Sequence, residues 1–340
     1  MFKSKYIKYK NKYLLSKEKD ISYPITLPYD SGMLNVGDNH QLYYEQIGNP
    51  NGIPIVVIHG GPGGGISTKY STFYDCSKIR LIGYDQRGCG KSIPFGSLEN
   101  NTTWDLIEDI EKLRKHLKID KWNVTGGSWG STLSLLYGIH HADKILGMII
   151  SGVCLLRQID IDWLYKKGGA SNIYPEEWDK FELFIPENER NDLIKAYYKR
   201  LCSTDETIRN AACLHWSEWE IKLSFFHEKN STKEKLNPVL TDLKKIIPLA
   251  KIECHYFLNK AFLPSDNYII ENIQKIKDIP LIINQARYDV ICPVDSAYRV
   301  KKALPNTDLR IGPLGGHSRA EQPNINSMIN SVKDLLSSFL

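Results

Sequence analysis

The 340-residue chain has no long hydrophobic run. Nothing in it reaches the roughly eighteen consecutive apolar residues of a membrane-spanning helix, so no membrane span is expected. Its cysteines are few and unpaired in pattern. Cys76, Cys89, Cys154, Cys202, Cys213, Cys254 and Cys292 are odd in number and form no C-x-x-C pair. That excludes a disulfide framework and a zinc ribbon, and it points to free thiols in a reducing compartment, hence a cytoplasmic protein. The nine histidines are scattered, and His140-His141 lacks an H-E-x-x-H context, so no metal site is expected. No phosphate-cradling G-x-x-x-x-G-K-[ST] motif is present, and no G-x-G-x-x-G is placed for a dinucleotide. No cofactor is implied. Charge of one sign is also scarce. The net +5 comes largely from Lys3, Lys5, Lys8, Lys10, Lys12, Lys17 and Lys19, and the remainder is close to neutral. A nucleic-acid partner is therefore not inferred. The basic leader lacks an apolar h-region and does not read as a secretory signal. It reads as a solvated extension over residues 1–24, with a membrane-surface or partner-docking arm as the functional alternative.

What is present is the alternation of an α/β protein. Met33–Val36 and Gln41–Gly48, joined by Gly37-Asp38-Asn39, read as a hairpin. Ile53–Ile58 and Lys78–Tyr84 are near-continuous apolar runs, the pattern of parallel strands buried on both faces. Thr103–Leu117 carries apolar residues at helical spacing. Further strands are expected at Trp122–Thr125, Ile145–Ile150, Pro280–Asn284 and Leu309–Gly312, and a closing helix at Pro323–Leu340. Between residues 155 and 275 no buried strand is legible. Segments 187–202, 204–227 and 238–260 read as helices. The expected architecture is a mostly parallel central sheet flanked by helices, with core parts at 25–153 and 277–340 and an inserted helical cap at 154–276.

The chemistry centres on Gly126-Gly127-Ser128-Trp129-Gly130, a serine among glycines between a strand and a helix. That is the layout of a nucleophile elbow, in which a strained turn exposes the hydroxyl above a helix N-terminus. The elbow order requires a carboxylate and then a histidine, each after a later strand. Asp289 follows Leu281-Ile282-Ile283-Asn284, and His317 follows Leu309-Arg310-Ile311-Gly312. Asp289 would orient His317, and His317 would take the Ser128 proton. An oxyanion hole needs two backbone donors. Trp129 N–H is one. The other is expected from His59-Gly60-Gly61-Pro62-Gly63-Gly64-Gly65, with Gly61 the choice and Gly60 the alternative. Cys89 has no base placed beside it, and Asp85 and Arg87 are expected to tie together the floor of the site. A serine rather than an aspartate at 128 excludes the dehalogenase and epoxide-hydrolase branch.

These stretches, with Asp85-Gln86-Arg87-Gly88-Cys89-Gly90-Lys91-Ser92, Arg287-Tyr288-Asp289 and Gly316-His317-Ser318, resemble the proline iminopeptidases of the α/β-hydrolase fold. The resemblance spans roughly residues 25–335. It implies a serine aminopeptidase that releases N-terminal proline, or a similar small residue, from a peptide with a free N-terminus. It also implies that cap carboxylates hold the substrate amine: Glu220 in Trp216-Ser217-Glu218-Trp219-Glu220 and Glu253 in Lys251-Ile252-Glu253-Cys254. Tyr165, in Asp162-Trp163-Leu164-Tyr165, matches a proline-pocket residue. Where the family shows an Arg-Gly-Ile-Phe-like stretch, this chain has Ser151-Gly152-Val153-Cys154, so a thiol stands for the pocket ring. A broader esterase or amidase and a non-catalytic binding protein are the alternatives.

Overall fold

The computed structural model describes residues 21–67, 69–226 and 239–337. Residues 1–20 of the basic leader lie outside that set, as do the expected helix ends at 227, at 238 and beyond 337. The described residues form an eight-stranded sheet in the order β1-β2-β4-β3-β5-β6-β7-β8. Its strands are β1 (Pro28–Gly37), β2 (His40–Gly48), β3 (Ile53–Ile58), β4 (Ile79–Tyr84), β5 (Trp122–Ser128), β6 (Ile145–Val153), β7 (Leu281–Ala286) and β8 (Asp308–Gly312). β1 and β2 are antiparallel to their neighbours, and the six strands from β4 across to β8 run parallel.

The hairpin turns at Asp38 and Asn39, both with positive φ, as a two-residue type I′ connection needs. Its first strand starts five residues earlier than the sequence pattern suggests. Residues 28–32 pair through the backbone with β2, but their side chains are exposed or half-exposed and carry no apolar alternation to announce a strand. The β3 run is apolar because both faces are covered: Val56 and Ile58, with Trp122 and Val124 of β5, are buried on one face, and Ile55 and Val57 on the other.

Helices α1 (Thr103–His116) and α2 (Trp129–His140) cross between strands. α1 begins at a capping box, with Thr102 and Asp105 satisfying each other's backbone N–H groups. Between β6 and β7 come α3 (Gln158–Tyr165), α4 (Pro175–Leu183), α5 (Leu193–Leu201), α6 (Glu206–Leu223), α7 (Leu243–Leu258) and α8 (Tyr268–Asn272). The segment expected as one helix over 187–202 is split: Glu187–Asp192 is a 3₁₀ turn, and Asp192 then caps α5 through Lys195 N–H. α9 (Val294–Ala303) and α10 (Gln322–Ser337) complete the chain.

One cluster of buried side chains runs from Val56 and Val124 in the sheet through Trp129 to Trp216, Trp219 and Tyr197 in the helical segment. The carboxyl ends of β3, β5, β6 and β7 share one rim, which is where open parallel sheets place ligands.

Candidate active site

Ser128 ends β5 and precedes α2 with φ 58° and ψ −131°, a conformation that a residue with a side chain adopts only under strain. The tightness of the turn is visible at Gly130, where a Cβ would fall on the Ile58 carbonyl oxygen. Ser128 lines a cavity of about 330 Å³ together with Gly60, Gly61, Trp129, Cys154, Tyr165, Glu220, Glu253 and His317. All the residues singled out in the sequence for the reaction or for substrate binding thus share one space, except Asp289, which lies behind His317.

His317 Nδ1–H donates to both Asp289 oxygens, at 2.9 and 3.1 Å. This leaves Nε2 as the acceptor nitrogen. Burial of the ring resists protonation. The Asp289 charge and hydrogen bond, helped by Glu220, outweigh it and hold the imidazole above its ordinary pKa, against an opposing push from Arg319.

Asp289 is itself fixed. Its Oδ1 accepts Cys292 N–H at 2.8 Å, and Gln285 Nε2 donates to Oδ2 at 3.4 Å. Gln285 also accepts Val153 N–H at 3.0 Å, so it couples the Asp289 loop to the end of β6. At that end Gly152 has φ 54°, and a Cβ there would stand 3.1 Å from His317 Cε1 and 3.3 Å from Asp289 Oδ2. Only glycine fits without moving the pair. The His317 loop is pinned by Glu321, which accepts Gly316 N–H at 2.6 Å and Phe226 N–H at 3.1 Å. Gln285 and Glu321 are supports of the candidate site that the sequence reading missed; neither lies in a motif, and each joins a nearby loop residue to a distant segment, Val153 for Gln285 and Phe226 for Glu321.

The glycine-rich loop after β3 closes on itself through Gly64 N–H to Gly60 O at 3.2 Å. It is fastened to the next loop by Asp85, whose carboxylate accepts Ile66 N–H at 2.7 Å and Lys91 N–H at 2.8 Å. Gln86 links the loop to the elbow. Its amide donates to His59 O at 2.9 Å, and its Oε1 accepts Trp129 Nε1–H at 2.8 Å. Arg87 turns the other way, making two bonds of 2.6 and 2.8 Å to the buried Asp109 on α1.

A base does stand near Cys89, contrary to the sequence reading: His59 Nε2 is 3.4 Å from its sulfur. That nitrogen already accepts Gln86 N–H at 3.0 Å, and burial pushes the thiol far up, so Cys89 is not an activated nucleophile. His59, Asp85 and Cys89 bring ligand atoms within 4.8 Å of one another, which would be room for a metal. The hydrogen bonds just given commit the imidazole and both carboxylate oxygens, and the group serves to tie loops together.

On the far wall, α6 and α7 bring Glu220 and Glu253 together. Tyr165 O–H donates to Glu220, Trp216 Nε1–H donates to Glu253 at 2.8 Å, and the two carboxyls hydrogen-bond each other. Desolvation raises both. The Glu220 charge raises Glu253 further, well above the carboxylate range, while Glu253, Tyr165 and His317 restrain Glu220. Two carboxyls this close, both raised, favour sharing one proton between them. Tyr165 stacks on Trp216 at 4.7 Å, so an aromatic wall flanks the acids. Cys154 lines the same cavity, with its N–H on Ser131 Oγ at 3.2 Å.

A family model described as "alpha/beta hydrolase fold" matches residues 53–319. A curated relative from Leptolyngbya boryana, "Probable proline iminopeptidase", is 48% identical over 310 residues, covering 91% of this chain and 95% of that protein. The "Proline iminopeptidase" of Arabidopsis thaliana is also 48% identical, over 301 residues, covering 88% of this chain and 78% of that one. Among solved structures, a bromoperoxidase from Bacillus anthracis superposes with a TM-score of 0.63 at 20% identity, covering 91% of this chain and all of that one, which shows the shared fold.

Proposed function

The chain belongs to the α/β-hydrolase fold family and within it to the proline iminopeptidases, and from that premise we propose that it releases N-terminal proline from peptides with Ser128 as nucleophile. The observation that carries the proposal is the acid pair, buried Glu253 and half-buried Glu220, in the same cavity as Ser128 and His317. An esterase has no use for two desolvated carboxyls opposite its nucleophile. An exopeptidase does, because a protonated amine must leave water close to the scissile bond.

The substrate amine docks on the acid pair, and the proline ring lies against Tyr165 and Cys154. The helical segment, read as a cap over 154–276, thereby places one residue, and only one, ahead of Ser128. Ser128 Oγ attacks the carbonyl while His317 Nε2 takes its proton and Asp289 steadies the imidazolium. Trp129 N–H, at the start of α2, and Gly61 N–H receive the oxyanion. His317 then protonates the leaving amine, and a water attacks the acyl-enzyme by the reverse relay. The seven free thiols support a cytoplasmic setting.

The test is hydrolysis of proline naphthylamide, alanine naphthylamide and a short nitrophenyl ester. The wild type should cleave the proline amide in preference, and Ser128→Ala should lower turnover by roughly 10⁴-fold or more. Ester cleavage without amide cleavage would move the protein to the esterases and leave the acid pair without a role.

A further inference from the structure

The cavity that holds Ser128 has a neighbour. A second cavity of about 460 Å³ meets it at Gly60, Ser318 and Arg319. Glu220, Glu253 and Tyr165 line the first and not the second. A peptide held by its amine at the acid pair, with its first carbonyl at Ser128, must lead its remaining residues away from those acids. The leaving nitrogen takes its proton from His317, and the next two residues of that loop, Ser318 and Arg319, form the passage into the second cavity.

The lining there is of a different kind. Ile66, Tyr70 and Phe73 give it an apolar side, and its two charged groups are both cations, Lys69 and Arg319. Among the described residues no carboxylate lines it. Lys69 is exposed at its rim. Arg319 is held by Nε–H to Ser151 Oγ at 3.0 Å, in the position where the family resemblance would have put an arginine rather than Ser151. Its guanidinium lies against the Gly127 backbone, its Nη2 is buried without a partner, and burial lowers its pKa. A half-buried guanidinium that makes no ion pair among the described residues favours the arrival of an anion.

We propose that this second cavity is the leaving-peptide subsite, and that Lys69 and Arg319 there favour short peptides by attracting their C-terminal carboxylate. The proposal rests on the aminopeptidase reading above.

The test compares prolyl-alanine with prolyl-alanine amide, and both with proline naphthylamide, in wild type, Lys69→Ala and Lys69→Glu. The free acid should exceed its amide in kcat/KM by about 2- to 5-fold, the size of a partly exposed ion pair. The difference should sit in KM, because the contact is made equally in the bound substrate and in the transition state. It should shrink as salt is added. Lys69→Glu should abolish it, so that the free acid falls to the level of its amide when both are compared in the same variant. An acid-to-amide ratio of one in the wild type, or the same ratio in Lys69→Glu, with the naphthylamide cleaved normally, overturns this subsite alone. A wild type that cleaves no proline naphthylamide overturns the aminopeptidase reading and this one with it.

Discussion

His317 balances opposing charges. Burial and Arg319 push its proton off, Asp289 and Glu220 keep it on, and the balance lies above the ordinary imidazole value. A general base works only when neutral, so kcat/KM should fall as pH is lowered through a midpoint above 6.5, the unperturbed value. Asp289→Asn removes the negative charge that does most to keep the proton on. Its midpoint should move to lower pH, and its turnover should fall by about 10⁴-fold through loss of the useful tautomer, as a pH–rate profile of the two proteins would show. A midpoint unchanged by the substitution would mean that Asp289 does not set the basicity of His317. At this scale the candidate triad was legible in the sequence because Ser128 ends a strand and Asp289 and His317 each follow a later one, in a fixed chain order. Gln285, Glu321 and Arg319 were not, because each acts through a contact between segments far apart in the chain, and such contacts have no local spacing.

On the reading proposed above, the element that decides what the site accepts is the α6–α7 pair. Glu220 and Glu253 are far apart in sequence and meet only because these two helices pack side by side. Keeping a raised carboxyl in the fold has a thermodynamic signature. The folded pKa of Glu253 lies well above its unfolded value near 4.5, so between those values the unfolded chain loses a proton that the folded one keeps. Stability contributed by this group therefore falls as pH rises through that window. Glu253→Gln keeps an acceptor for Trp216 and removes the titration. Its Tm at pH 8 should be about 1–3 °C above wild type, while KM for proline naphthylamide should rise at least ~10-fold. A lower Tm would show that the acid is a structural support and not a strained binding group. The pair was reached through the family resemblance of its two motifs and not from local spacing, since no period links Glu220 to Glu253. The sequence reading passed over α4, although Pro175 at its first position, followed by Glu176 and Glu177, is a helix-start signal. It also passed over α9, whose buried side, Ser296, Ala297 and Val300, is too small to draw an apolar stripe.

Across the whole molecule, the helical segment and the sheet are one packed body. Trp129 at the elbow meets Tyr256 of α7 edge-on at 4.9 Å, Tyr256 O–H donates to Asn101 at 3.1 Å, and Trp104 Nε1–H donates to Phe262 O at 2.9 Å. With a single buried cluster crossing this boundary, the protein should unfold in one transition. Tryptophan emission samples both sides, through Trp122 and Trp129 on one and Trp178, Trp216 and Trp219 on the other. Its denaturant midpoint should coincide with that of far-ultraviolet circular dichroism, and two separated midpoints would show the segment folding on its own. The mostly parallel sheet was predictable from strand–helix alternation, but this unity was not, since it depends on which tryptophans face which. The helical segment leaves the sheet after β6 and returns at β7, and these two strands are direct neighbours, with Ile149 opposite Ile282 and Ile150 opposite Ile283. The chain can thus rewrite everything between those strands without changing the order of the sheet. Over evolutionary time the choice of substrate and the machinery of bond cleavage are exposed to selection in different stretches of the gene, so a lineage can inherit the second intact while it experiments with the first.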